Sequence, residues 1–100
     1  MGAFACWGPI PGSEGSYDLY WLAVAPDLHG AGLGTLLFKE STQQIFSQGG
    51  RQVFIETSSR SDYSSARQFY QQQGAELIAR LSDFYQIDDD KLIFRIRKMS

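Results

Sequence analysis

"VAPDLHGAGLGTLLF", Val24 to Phe38, joins the end of an apolar run to a leucine-rich segment of helical spacing through the glycines Gly30, Gly32 and Gly34. A strand that breaks into such a loop and opens a helix presents unpaired backbone N–H groups at the positive end of the helix dipole. That arrangement suits a phosphate or pyrophosphate. Glycine also removes the side chains that would block its approach. The same residues equally suit a tight strand-to-helix turn with no ligand, and the loop alone does not separate the two. Two familiar phosphate loops fail on spacing. Counted from Gly30, the dinucleotide pattern G-x-G-x-x-G puts Thr35 where its third glycine belongs. No Gly-Lys-Ser/Thr follows for a P-loop, and Lys39 lies too far into the helix.

Working outward, "YDLYWLAV" from Tyr17 to Val24 is rich in aromatic and branched residues and predicts a strand that Pro26 ends. "GPIPGSEGS" before it is turn chemistry, and Gly2 to Trp7 supplies the other arm of a hairpin. After the loop, Leu33, Leu36, Leu37, Phe38, Ile45 and Phe46 recur at helical offsets up to the stop at Gly49-Gly50. "QVFIETS" reads as a buried strand. "SDYSSARQFYQQQG" reads as a second helix with N-cap residues, an Ala66/Phe69/Tyr70 stripe and a terminal Gly74. "AELIARLSDFYQI" and "KLIFRIRK" predict two antiparallel strands, with Asp88-Asp89-Asp90 as the solvated turn between them. The order β-β-α-β-α-β-β places the chain in the α/β (α+β) class, and the strand-helix-strand unit from Tyr17 to Thr57 requires a parallel pair.

One hundred residues make one domain, 1–100, with an ordinary globular composition. A net charge of -2 argues against sequence-independent nucleic-acid binding, leaving only Arg95, Arg97 and Lys98 as a local basic patch. The longest apolar run, Leu19 to Ala25, is far too short for a membrane span, and the N-terminus lacks the order of a signal peptide, so the cytoplasm is expected. Single Cys and His residues, Cys6 and His29, give no disulfide and no metal-ligand spacing; Cys6 is expected to pack in the core.

"LAVAPDLHGAGLGTLL" resembles the acyl-CoA-binding signature of the GNAT superfamily of N-acyltransferases, Gln/Arg-x-x-Gly-x-Gly/Ala after a strand ending in Val. His29, Gly32, Leu33 and Gly34 occupy that pattern, with His29 in place of Gln or Arg. "ARQFYQQQGAELIARL" is similar to the family's second signature, with Ala75 replacing the usual Phe. "ETSSRSDYSSARQFY" and "DFYQIDDDKLIFR" resemble one bacterial branch of the superfamily. The resemblance implies a mixed, largely antiparallel sheet with a parallel splayed central pair and two helices. It implies acetyl-CoA as cosubstrate, its pyrophosphate held by the N–H groups of His29, Gly30, Ala31, Gly32, Leu33 and Gly34, and its pantetheine arm by the backbone of Leu22 and Val24. Tyr63 stands where the family often has an asparagine touching the cofactor.

Acyl transfer to an amine needs a base for the amine and a proton for the leaving thiolate. The resemblance assigns the proton to Tyr70, with packing as its alternative role. It offers two carboxylates for the base, Glu56 on the strand after the first helix and Asp18 at the start of the strand leading to the loop; water is the third option. Tyr85 is either packing or an acceptor contact. Typical members begin with a strand, two helices and another strand ahead of the point where Met1 stands, so the chain reads as N-terminally truncated relative to them. The expected activity is acetyl transfer from acetyl-CoA to a small-molecule or peptide amine. The alternative is a CoA-binding module without turnover. An exposed first strand bearing "AFACW" predicts a homodimer paired along that edge.

Overall fold

The computed structural model describes residues 3–24 and 32–98. Its elements are β1 (Ala3–Pro9), β2 (Ser16–Val24), α1 (Leu33–Ser47), β3 (Gln52–Ser58), a 3-10 turn (Ser61–Tyr63), α2 (Ser64–Gln72), β4 (Glu76–Gln86) and β5 (Asp89–Arg97). The strands form one mixed five-stranded sheet in the order β1-β2-β3-β5-β4, so β5 is inserted between β3 and β4. Two compact units divide the chain, Met1–Val53 with Arg97–Ser100, and Phe54–Ile96.

In the first unit β1 and β2 form the expected hairpin, Gly8 opposite Asp18 and Ala5 opposite Leu22, with an irregularity between Cys6 and Trp7 that leaves Tyr20 as the extra residue on β2. Arg51 closes the hairpin's connection. Its guanidinium donates to the Glu14 carbonyl from Nε at 2.8 Å and also from Nη2, while its N–H donates to the Gly15 carbonyl. Helix α1 buries Phe38, Ser41, Thr42 and Ile45, an i, i+3, i+4, i+7 stripe. Leu36 is exposed, because two residues from Phe38 is more than half a turn away. Thr42 in this stripe is satisfied within the helix, since its hydroxyl donates to the Phe38 and Lys39 carbonyls at 3.1 Å. At its end Gly49 turns left-handed (φ 98°) and Gly50 N–H donates back to the Ile45 carbonyl at 2.9 Å. A Cβ on Gly50 would sit 2.7 Å from that same oxygen, so the stop requires glycine. Cys6 is exposed rather than packed, on an outer strand of the sheet.

In the second unit Ile55, Ala75, Leu92 and Phe94 are buried. No side chain caps α2. The helix is entered through the 3-10 turn, and Arg67 Nη1 donates to the Ser58 and Arg60 carbonyls at 2.8 Å, tying the helix to the end of β3. Ala75 N–H donates to the Tyr70 carbonyl at 3.0 Å behind a left-handed Gly74, delivering the chain into β4.

The acidic run departs from expectation. The turn is Ile87-Asp88, and Asp89 and Asp90 belong to β5, only 6% and 8% exposed. Three adjacent carboxylates read as solvated, but the fold gives the last two dedicated donors. Ser58 Oγ donates to Asp89, Arg80 Nε and Asp83 N–H donate to Asp90 at 2.5 and 2.9 Å, and Asp90 N–H donates to Ser59 Oγ at 2.8 Å. These donors hold the Asp90 carboxyl below its usual range, the Asp83 N–H first and Arg80 next. They also fix a kink in β4, where Asp83 takes a left-handed φ of 54° and the pairing with β5 shifts between Leu81 and Gln86.

Candidate functional site

Helix α1 opens at Gly32, which adopts a left-handed conformation (φ 76°, ψ 4°) and caps with no side chain. Its carbonyl accepts the Leu36 N–H at 3.1 Å, so the helix is hydrogen-bonded from its first turn. An α-helix gives its first N–H groups no partner of its own, and here the first turn carries no acidic residue to repel an anion. Among the described residues, a Cβ at Gly32 would meet nothing within 4 Å. Glycine is therefore required by the turn's conformation and not by crowding from the described residues. Leu33 and Gly34 begin the helix; His29, Gly30 and Ala31 lie outside the described residues. Leu22 and Val24 are on the last turn-ward residues of β2, opposite Ala5 and Ala3. Asp18 is opposite Gly8 at the other end of the same strand, about 20 Å from Val24 along the backbone.

In the second unit Tyr70 lies on α2 with its ring edge-on to Phe69 (centroids 5.7 Å apart) and tilted on Phe94 (6.3 Å). Burial pushes its hydroxyl above the usual 10.0, so it holds its proton through neutral pH. Tyr63 ends the 3-10 turn and is exposed. Glu56 alternates with the buried Ile55 and Thr57 of β3, and its carboxylate forms an ion pair with the Lys91 ammonium. Lys91 alternates with the buried Leu92 and is three residues from Phe94. Glu56 and Lys91 thus emerge on the sheet face opposite the one that Tyr70 covers.

Sequence reading missed what surrounds Glu56. The Lys91 ammonium also lies 4.5 Å from the centroid of the Phe84 ring, and Phe84 meets Tyr85 edge-on at 5.0 Å. Both aromatics stand half-exposed on the β4 kink that Asp90 holds. The clue available in the sequence was an unbroken eleven-residue strand carrying Ser82-Asp83 in its interior, residues that favour a bulge. Among the described residues no group of His, Cys, Asp or Glu side chains is arranged to hold a metal ion, and no helix is long and apolar enough to cross a membrane.

The model of the GNAT acetyltransferase domain matches residues 2–74, from the first strand through the glycine loop to the end of α2. The chain belongs to the GNAT acetyltransferase family. This GNAT chain is 44% identical over 97% of its length to a protein assigned to the same family from Desulfovibrio desulfuricans, with a TM-score of 0.96, and it spans 61% of that protein's chain. A Bacillus subtilis acetyltransferase solved with CoA has the same fold at 16% identity and a TM-score of 0.85, covering 99% of this chain and 70% of its own. An aminoglycoside 6'-N-acetyltransferase complexed with coenzyme A also shares the fold, at 16% identity and a TM-score of 0.80, covering 96% of this chain and 67% of its own. A comparison with curated proteins returns no match.

Proposed function

We propose that this chain transfers an acetyl group from acetyl-CoA to a primary amine. The observation that carries this is the Gly32-opened helix, a left-handed glycine that no described residue crowds, with no acidic residue in the first turn, in a chain of the GNAT acetyltransferase family. The N–H groups from His29 to Gly34 hold the pyrophosphate, backbone meeting phosphate at the positive end of α1. The backbone of Leu22 and Val24 holds the pantetheine arm, and Tyr63 contacts the cosubstrate. Glu56 takes a proton from the acceptor amine, directly or through one water, so that its nitrogen can attack the thioester carbonyl. Tyr70, held protonated by burial on the sheet face opposite Glu56, gives its proton to the sulfur as the C–S bond breaks, which requires the thioester to lie between the two groups. Asp18, distant along β2 from the loop, is the weaker candidate for base. A second copy of the chain joins along β1, which is an outer strand of the sheet.

Calorimetric titration with acetyl-CoA, followed by thiol release in the presence of a panel of primary amines, tests the proposal. Binding with amine-dependent thiol release supports it. Binding without release would leave the chain a CoA-binding module, and absence of binding would remove the loop's assignment.

A further inference from the structure

A general base must stand within hydrogen-bond reach of the nitrogen it deprotonates, directly or through one water. Among the described residues, the side-chain nitrogen within direct reach of the Glu56 carboxylate is Lys91 Nζ. That ammonium is held from two sides, by the Glu56 carboxylate and by the Phe84 ring at 4.5 Å. The two holders are open to solvent, Glu56 at 44% of its side chain and Phe84 at 52%, whereas the Lys91 side chain is only 18% exposed. A carboxylate and an aromatic face, both accessible, converge on one primary ammonium at the end of an unbranched four-carbon stem. Phe84 reaches this place because Asp83 N–H is anchored on Asp90 and β4 kinks there.

We infer that Glu56 and Phe84 form the seat of the acceptor's ammonium, that Lys91 fills this seat until an acceptor displaces it, and that the acceptor is therefore a primary alkylamine of lysine-side-chain type. The inference rests on Glu56 as the base of the acetyl transfer proposed above. Lys91 is then a specificity-determining residue, because any acceptor must outcompete a tethered ammonium for the same two partners. If Lys91 holds the seat about nine parts in ten, an outside amine binds about tenfold more weakly than it would to an empty seat.

The test uses n-butylammonium as probe and the Phe84 ring resonances as readout, at constant ionic strength, with no acetyl-CoA present. In the whole chain carrying Lys91→Met the probe should shift those resonances and bind about tenfold more tightly than in the parent protein. Adding Glu56→Gln to Lys91→Met should abolish the gain, and a dispersed amide spectrum should show that each variant is folded. An unchanged affinity in Lys91→Met, or a gain that survives Glu56→Gln, overturns the assignment. Because no acetyl-CoA takes part, a failure of acetyl transfer would be seen in the thiol-release assay and not here. Should a Met at position 91 unfold the chain, Lys91→Gln serves the same comparison.

Discussion

Alanine at Gly32 and alanine at Gly34 should change stability in opposite directions and CoA affinity in the same direction. Gly32 sits at φ 76°, where an L side chain costs about 1–2 kcal/mol, and among the described residues a Cβ there meets nothing within 4 Å that would add a steric cost. Gly34 is the second residue of α1 with helical backbone, where alanine is favoured over glycine by up to about 1 kcal/mol. The two variants should therefore differ by about 2 kcal/mol in unfolding free energy. That is small against the roughly 5–15 kcal/mol of a typical domain, so both stay folded. Each methyl group nonetheless stands on backbone that must approach the pyrophosphate. Losing one hydrogen bond to a charged group is worth about 1.5–3 kcal/mol, which weakens binding about tenfold to a hundredfold. Urea unfolding and calorimetric titration with CoA measure the two quantities on the same samples. A Gly34→Ala protein that is more stable and binds CoA as tightly as its parent refutes the backbone cradle and returns these glycines to the role of a turn.

Three further outcomes are expected. Tyr70→Phe keeps the ring contacts to Phe69 and Phe94 and removes the proton, so amine-dependent thiol release should fall about a hundredfold while CoA affinity barely changes; full turnover would leave Tyr70 as packing. Asp90 ionises more readily folded than unfolded, so its contribution to stability is present above the usual 3.8 and is lost as pH falls through its lower folded value. Asp90→Asn should therefore flatten the acid limb of a stability-versus-pH curve, and a limb of unchanged steepness would show that the carboxylate is not what titrates. Of Phe4→Pro and Ala5→Pro, the variant whose lost N–H faces away from β2 should dissociate the proposed dimer, and the other should weaken the β1–β2 ladder instead; a parent chain monomeric by light scattering at micromolar concentration removes the dimer proposal altogether.

The order of elements and the glycine loop were legible in the sequence because both are local. Alternating and branched residues make β2 and β3 wherever they sit, "QVFIETS" matching β3 residue for residue, and Gly49-Gly50 ends a helix by backbone geometry that needs no distant partner. The stripe of α1 was legible only in part. Phe38 and Ile45 were found, but Ser41 and Thr42 are buried without being apolar, and Leu36 is apolar without being buried. What the tertiary structure decided is non-local. Asp89 and Asp90 are buried because Ser58, Ser59, Arg80 and the Asp83 N–H come to them from other elements, and no pattern within "DDDK" announces those donors. Insertion of β5 between β3 and β4 brings Lys91 beside Glu56, 35 positions earlier in the chain, and a kink fixed by a buried carboxylate brings Phe84 onto the same ammonium. Strand alternation gave Glu56 its local direction and helical spacing gave Tyr70 its own, but only the packing of α2 on Phe94 put them on opposite faces of the sheet.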